Sequence, residues 1–199
     1  MRDVRAALLR AVAREGRPSS DFDLNADAKS PGTPLRDAAV LVPIVIEDRP
    51  EPMLILTKRS SALKHHPGQI AFPGGKVDPE DADVIAAALR EGQEEIALDP
   101  DQVEVLGTLS PHETVTGFNV SPVIGLVSPA FRPKANDSEV AEVFEVPLAH
   151  VMTAENYLIE SRRWRGERRY FFTVPWGPYY VWGATARMLR ALADRMDEN

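Results

Sequence analysis

Arg90 is followed by Glu91, Glu94 and Glu95, three carboxylates at i, i+3 and i+4 in a segment of helical periodicity. That spacing sets them on one face of a helix. Like charges so placed repel by only ~0.2–0.5 kcal/mol per pair, so the stripe taken alone reads as a solvated surface helix. Its surroundings point to chemistry. Oxygen-only ligands on a rigid helix suit hard cations such as Mg²⁺ or Mn²⁺. The Pro73-Gly74-Gly75 turn just upstream lets backbone come close to an ion or a phosphate. Arg90, beside Glu91, has the fork to grip a carboxylate bidentately. Such a set can polarise a phosphorus–oxygen bond and activate water.

A second group of functional side chains precedes the turn. Arg59, Lys64, His65 and His66 cluster in KRSSALKHHPG. Alone, the segment reads as a solvated basic turn and its histidines as surface or hydrogen-bonded residues. Next to an acidic metal site, a cationic loop is what a substrate with several phosphates requires. Five arginines also lie between Arg162 and Arg169. They are either a phosphate patch or charged strand faces that discourage edge pairing, and the second reading is favoured.

The stretch from Gly75 to Leu98 resembles the Nudix box: Gly, five residues, Glu, seven residues, then Arg-Glu-apolar-any-Glu-Glu-any-Gly-apolar. Gly75 opens it, and Arg90, Glu91, Glu94, Glu95 and Leu98 fill the later positions. Four features depart from the pattern. The spacing from Gly75 to Arg90 is one residue longer. Asp81 stands at the first Glu position counted from Gly75, and Ala82 does so counted back from Arg90. Gly92 replaces an apolar residue, and Ala97 replaces the final Gly. The preceding LTKRSSALKHHPGQIAFPGG resembles the signature of the coenzyme A diphosphatase branch of that family. Leu56, Thr57, Arg59, Ser60, Gly68, Phe72, Pro73, Gly74 and Gly75 fit it; Ile55 replaces its first Leu and Lys64 its second Arg. Lys keeps the charge but loses the fork.

The resemblance implies an α/β/α sandwich around a central mixed sheet, and hydrolysis of the diphosphate bond in coenzyme A or its thioesters. It implies Glu91 and Glu95 as ligands of Mg²⁺ or Mn²⁺, Glu94 close by through water, and the Gly74 carbonyl as a further ligand. Arg90 would orient the carboxylates, and Arg59, Lys64, Gly68 and Phe72 would meet the substrate. A glutamate from a later loop often reaches back in this family; Glu139 is the first choice, Glu142 the reserve and a box glutamate such as Glu94 the remaining base. Rival readings are a Nudix hydrolase of another nucleoside diphosphate derivative, such as ADP-ribose or an oxidised nucleotide, and a non-catalytic nucleotide-sensing module.

These residues need a scaffold. Ala38–Asp48 and Pro52–Ser60 are nearly continuous in Val, Ile and Leu, as strands covered on both faces are, and the charged, proline-bearing link between them suits a hairpin. Short strands are expected at 69–72, 103–109 and 120–127, with loops at 111–119 and 131–137. Residues 157–173 alternate about Arg165-Gly166-Glu167 as a second hairpin. The box helix carries an apolar face of Ile85, Ala88, Leu89, Gly92 and Ile96. A C-terminal amphipathic helix, 182–196, turns Ala186, Leu189, Leu192 and Ala193 inward, on the other face of the sheet. Residues 1–34 read as an appendage to a domain spanning 35–199: a helix to about Gly16 with Val4, Leu8, Ala11 and Val12 inward, then a surface loop. The helix packs on the domain or forms a homodimer contact.

At 199 residues the chain can bury a sizeable core, and 44% hydrophobic with 27% charged residues is ordinary for a globular protein. A net charge of −7 disfavours nucleic acid as the partner, yet permits a small anionic substrate at a metal. The absence of cysteine excludes disulfides, thiolate metal sites and a cysteine nucleophile. No apolar run is long enough to span a membrane and the N-terminus is too charged for a signal peptide, so a cytoplasmic setting is expected.

Overall fold

A computed structural model describes residues 2–26, 34–63, 66–164 and 166–197. Eleven strands and four α-helices are found among them: β1 (Ser19–Ser20), β2 (Arg36–Val45), β3 (Met53–Arg59), β4 (Ile70–Ala71), β5 (Gly74–Lys76), β6 (Val103–Thr108), β7 (His112–Glu113), β8 (Phe118–Val127), β9 (Val140–Pro147), β10 (Leu158–Trp164) and β11 (Glu167–Thr173), with α1 (Arg2–Ala13), α2 (Val84–Ile96), α3 (Leu148–Met152) and α4 (Gly183–Asp197). Nine strands form one mixed sheet in which β2 runs parallel to β8 and antiparallel to β3 and β5. β9 lies antiparallel to β3, and β6 to β8.

The strand alternation explains the layers. On β2, Val42 and Ile44 join the core shared with Leu8, Met188, Leu189 and Leu192, whereas Ala39, Leu41 and Val45 join the core shared with Ala87, Ala88 and Ile96. On β3, Leu54 and Leu56 face the first core and Ile55 the second. Both faces are therefore buried, under α4 and α1 on one side and α2 on the other. This is the expected α/β/α sandwich. Helix α1 packs with Leu8 and Ala11 fully buried.

The polar N-terminal loop differs from expectation. Ser19 and Ser20 add a parallel strand beside His112 and Glu113. His112, fully buried, bonds Ser19 Oγ through Nδ1 (2.9 Å) and Asp21 Oδ1 through Nε2 (3.1 Å). A two-residue Ser-Ser strand has no hydrophobic period to reveal it, and the expected loop at 111–119 likewise contains β7 and the start of β8.

Candidate active site

Helix α2 is built to hold its carboxylates still. Asp83 is its N-cap, with Oδ1 accepting from the amides of Ile85 (2.9 Å) and Ala86 (2.8 Å), which satisfies two of the donors a helix start leaves open. At the other end Ala97 takes a left-handed conformation (φ 58°) while its N–H and that of Leu98 reach back to Gln93 and Gly92, a left-handed stop that normally uses Gly. Gly92 lies against the sheet, where a β-carbon would stand 3.2 Å from Leu41 Cδ2.

The helix is rotated relative to the expected acidic face. Glu95 is buried at 2% exposure alongside Ala88, Gly92 and Ile96, Glu91 is half-buried, and Glu94 is exposed. The three glutamates thus run from interior to rim.

Arg90 is the hub, though its fork is spent differently from the expected grip on Glu91. Nε and Nη2 donate to the two oxygens of Asp81 at 3.0 Å each, a bidentate pair. Nη1 donates to Glu91 Oε1 and to Glu94 Oε2, both at 3.1 Å, and Nη2 also reaches the Lys76 carbonyl at 3.1 Å. Asp81, one of the two candidates for the first acidic position of the box, is therefore the anchor of its arginine. That fork, with the Asp78 amide, holds the Asp81 carboxyl below the usual carboxylate range. The arginine is held charged in return.

The glycine turn supplies backbone. Leu41 N–H donates to Pro73 O and Val77 N–H to Asp37 O, so with Val40 opposite Gly74 the antiparallel alternation turns the N–H and C=O of Gly74 and Lys76 away from β2. The Lys76 carbonyl duly meets Arg90, and the Gly74 amide faces the Glu95 carboxylate, whose charged form it favours. Gly75 lies under Glu91: a β-carbon there would fall 2.2 Å from its Oε1.

Glu139 arrives from the opposite side. The loop before β9 is stitched to the end of α2, with Lys134 N–H donating to Ile96 O (3.0 Å) and Asn136 N–H to Glu95 O (2.9 Å). These are carbonyls a helix end leaves open. The Glu139 carbonyl accepts from Ser60 N–H at 2.8 Å, beside the end of β3. Its carboxylate acts electrostatically on both Glu91 and Glu95. Glu142 does not join them; it sits opposite Lys58 in the ladder and accepts from Tyr179 Oη, whose ring stacks on Phe144.

Arg59 stands with its Nη1 3.8 Å from Glu95 Oε1. Gly68, at φ 70°, closes the loop by donating to the Arg59 carbonyl (3.1 Å), with open space around its Cα. Phe72, expected to meet substrate, has its ring 3% exposed in the core with Ile70 and Leu56; it supports the turn from below. Lys64 lies outside the described residues, as does His65.

Burial pushes the Glu95 carboxyl up to about 8, with Glu91 and Glu139 adding to the effect and Arg59 and the Gly74 amide opposing it. Glu91 is raised for the same first reason, against the pull of Arg90. Among the described residues no three acidic or histidine side chains close into a metal cage. The donor set nevertheless fits a hard divalent cation: buried, under-compensated carboxylates and an outward-turned backbone carbonyl. The Asp83 cap and the 134–136 stitching go beyond what the sequence showed, since their only signals are an Asp before an apolar-periodic run and a polar loop.

A NUDIX domain matches residues 35–168. The chain is 48% identical over 163 residues to the Nudix hydrolase NudL of Cronobacter sakazakii, covering 82% of this chain and 84% of that protein. It is 49% identical over 158 residues to NudL of Klebsiella pneumoniae, covering 79% and 81%. Both relatives are described as uncharacterized. In fold it is similar to a MutT protein of Methanosarcina mazei, with TM-score 0.53 and 18% identity over 85% of this chain and all of that one. The Nudix hydrolase RenU of M. smegmatis is similar at TM-score 0.50 and 22% identity, over 60% and 75% of the two chains. On this match and these relatives, the chain belongs to the Nudix hydrolase family.

Proposed function

We propose that this pyrophosphohydrolase cleaves the diphosphate bond of coenzyme A or its thioesters, giving 4′-phosphopantetheine, or its acylated form, and 3′,5′-ADP. The observation that carries the reading is the meeting of two sequence signatures: Arg59, from the segment ahead of the box, stands against Glu95 of the box helix. A cation at that point faces the same space as the carboxylates and suits a polyanionic substrate. Glu91 and Glu95, with the Gly74 carbonyl and Glu94 at the rim, are the groups to hold Mg²⁺ or Mn²⁺. The ion, when bound, supplies charge neutralisation on the diphosphate.

The protein's own contribution is positioning and proton transfer. Arg59 draws a phosphate toward the buried carboxylates, and Arg90, fixed by Asp81, keeps Glu91 and Glu94 in place. Glu139 accepts a proton from the attacking water. The water oxygen forms a bond to one phosphorus, the bridging P–O bond breaks, and the departing phosphate keeps the electron pair. No covalent enzyme intermediate is needed, and fixed charge around the transition state is the main resource. A cytoplasmic setting belongs to the same reading.

The test is incubation with coenzyme A and Mg²⁺ or Mn²⁺, followed by mass identification of products. 4′-Phosphopantetheine with 3′,5′-ADP is expected. Loss of the 3′-phosphate alone, or intact coenzyme A beside cleaved ADP-ribose, overturns the substrate.

A further inference from the structure

The β10–β11 hairpin forms a two-stranded sheet separate from the main one, and its two edges are treated differently. On β11, Tyr170 N–H donates to Asn25 Oδ1 and Tyr170 C=O accepts from Asn25 Nδ2, each at 2.8 Å. A side-chain amide closes that edge as a neighbouring strand would. Tyr170 thus turns both peptide groups away from β10, and its ladder partner Ser161 must turn its own away from β11. Ile159, Ser161 and Arg163 therefore present N–H and C=O along an edge to which no strand pairs among the described residues. Every residue from Leu158 to Arg163 is exposed, Leu158 at 54% and Ile159 at 56%. An open edge with exposed apolar residues is a template for another strand.

We infer that this edge pairs with its copy in a second chain, antiparallel, about a two-fold axis at Ser161. That register sets Ser161 opposite Ser161 and Ile159 opposite Arg163 as hydrogen-bonded pairs, using the outward peptide groups. It sets Glu160 opposite Arg162 of the second copy, twice, as non-hydrogen-bonded pairs, where side chains approach closest. Centring on Arg163 instead opposes arginine to arginine. Centring on Glu160 opposes glutamates and needs peptide groups that already point to β11. Centring on Ile159 opposes Glu160 to Leu158 and sets Ser161 opposite Tyr157, whose N–H already donates to Ala154 O at 3.2 Å. The opposite charges thus meet in the Ser161 register, whose two-fold axis makes an isologous dimer. Glu160 and Arg162 are also held ready: Glu160 accepts from Tyr180 Oη at 2.7 Å, and the Arg162 guanidinium lies 5.1 Å from the centre of the Trp182 ring.

Sedimentation equilibrium of the full chain over a concentration series tests the inference, with association expected in the ~µM range. Ser161→Pro removes one outward N–H that the hairpin itself does not use, a change tolerated on an edge. It should be monomeric, with a melting curve that matches the wild type at concentrations where the wild type is dissociated. Glu160→Arg should also be monomeric, and Glu160→Arg with Arg162→Glu should dimerise again. Amide exchange on the wild type gives an independent reading: Ile159, Ser161 and Arg163 should be protected at high concentration and open at low. A monomer at all concentrations, a dimer that persists in Ser161→Pro, or exchange that ignores concentration overturns the proposal. A charge-swapped double variant that stays monomeric overturns the register.

Discussion

Gly74 and Gly75 are adjacent, yet alanine at each should fail in a different way. At Gly75 the added β-carbon falls 2.2 Å from Glu91 Oε1 and 2.6 Å from its Cδ. Those atoms end a flexible side chain, so the fold survives by moving the carboxylate about 1.2 Å, the distance to ordinary 3.4 Å contact. Misplacement of a catalytic group by ~1 Å costs about 10²-fold in rate. At Gly74 the β-carbon meets Ala39 O at 2.5 Å and Val40 Cα at 2.7 Å, which are backbone atoms of the central strand. The β2–β5 ladder must then open, at the ~1–3 kcal/mol typical of overpacking, a loss of roughly 3–10 °C in Tm for a chain of this size. Melting curves and kcat on the same preparations separate the cases. Gly75→Ala should melt near the parent and lose about 10²-fold in kcat, whereas Gly74→Ala should melt lower. A Gly75→Ala protein of parental activity would refute the contact between Gly75 and a functional Glu91.

Three further outcomes follow from the same geometry. Glu95 has its carboxyl pushed up to about 8 by burial, so in metal-free protein its protonated form contributes stability that is full below the ordinary value of 4.5 and lost as pH rises through 8. With chelator present, the Tm advantage of Glu95→Gln over the parent should therefore grow from pH 5 to pH 9, and a constant difference would contradict the burial argument. Glu139→Gln should lower kcat by ~10²–10⁴-fold while Glu142→Gln, on the Tyr179 side, changes little; titration with Mn²⁺ then shows whether metal affinity is spared, as a base requires. Ala97→Gly, relieving a left-handed alanine at φ 58°, should stabilise the fold by about 1 kcal/mol, read as a higher urea midpoint.

Much of the site was legible in the sequence because it is local. Arg90, Glu91, Glu94 and Glu95 sit on one helix whose period is visible, and the Gly-Gly turn is written out in residues. The rotation of that helix was not legible. Counting apolar residues places Glu95 with the charged face, but small Ala88 and Gly92 let α2 approach Leu41 closely and carry Glu95 inside. The partner of the Arg90 fork was hidden as well, since Asp81 lies nine residues earlier across an irregular loop. Phe72 reads as a signature residue in either role, and only packing shows its ring in the core. The nearly continuous Val, Ile and Leu runs of β2 and β3 revealed a sheet buried on both faces, while β1 and β7 are too short and polar to carry a pattern.

In the proposed reaction the cluster of Glu91, Glu95 and Glu139 beside Arg59 hydrolyses the diphosphate of coenzyme A. The most direct measurement is kcat/KM with Mg²⁺ or Mn²⁺ for coenzyme A, an acyl-coenzyme A, ADP-ribose and an oxidised nucleoside triphosphate, on the parent and on Glu95→Gln. A coenzyme A compound should be the best substrate, and Glu95→Gln should lose ~100-fold or more on it, scaled from metal-site effects. Preference for ADP-ribose or the oxidised nucleotide, or a fully active Glu95→Gln, would contradict that reaction.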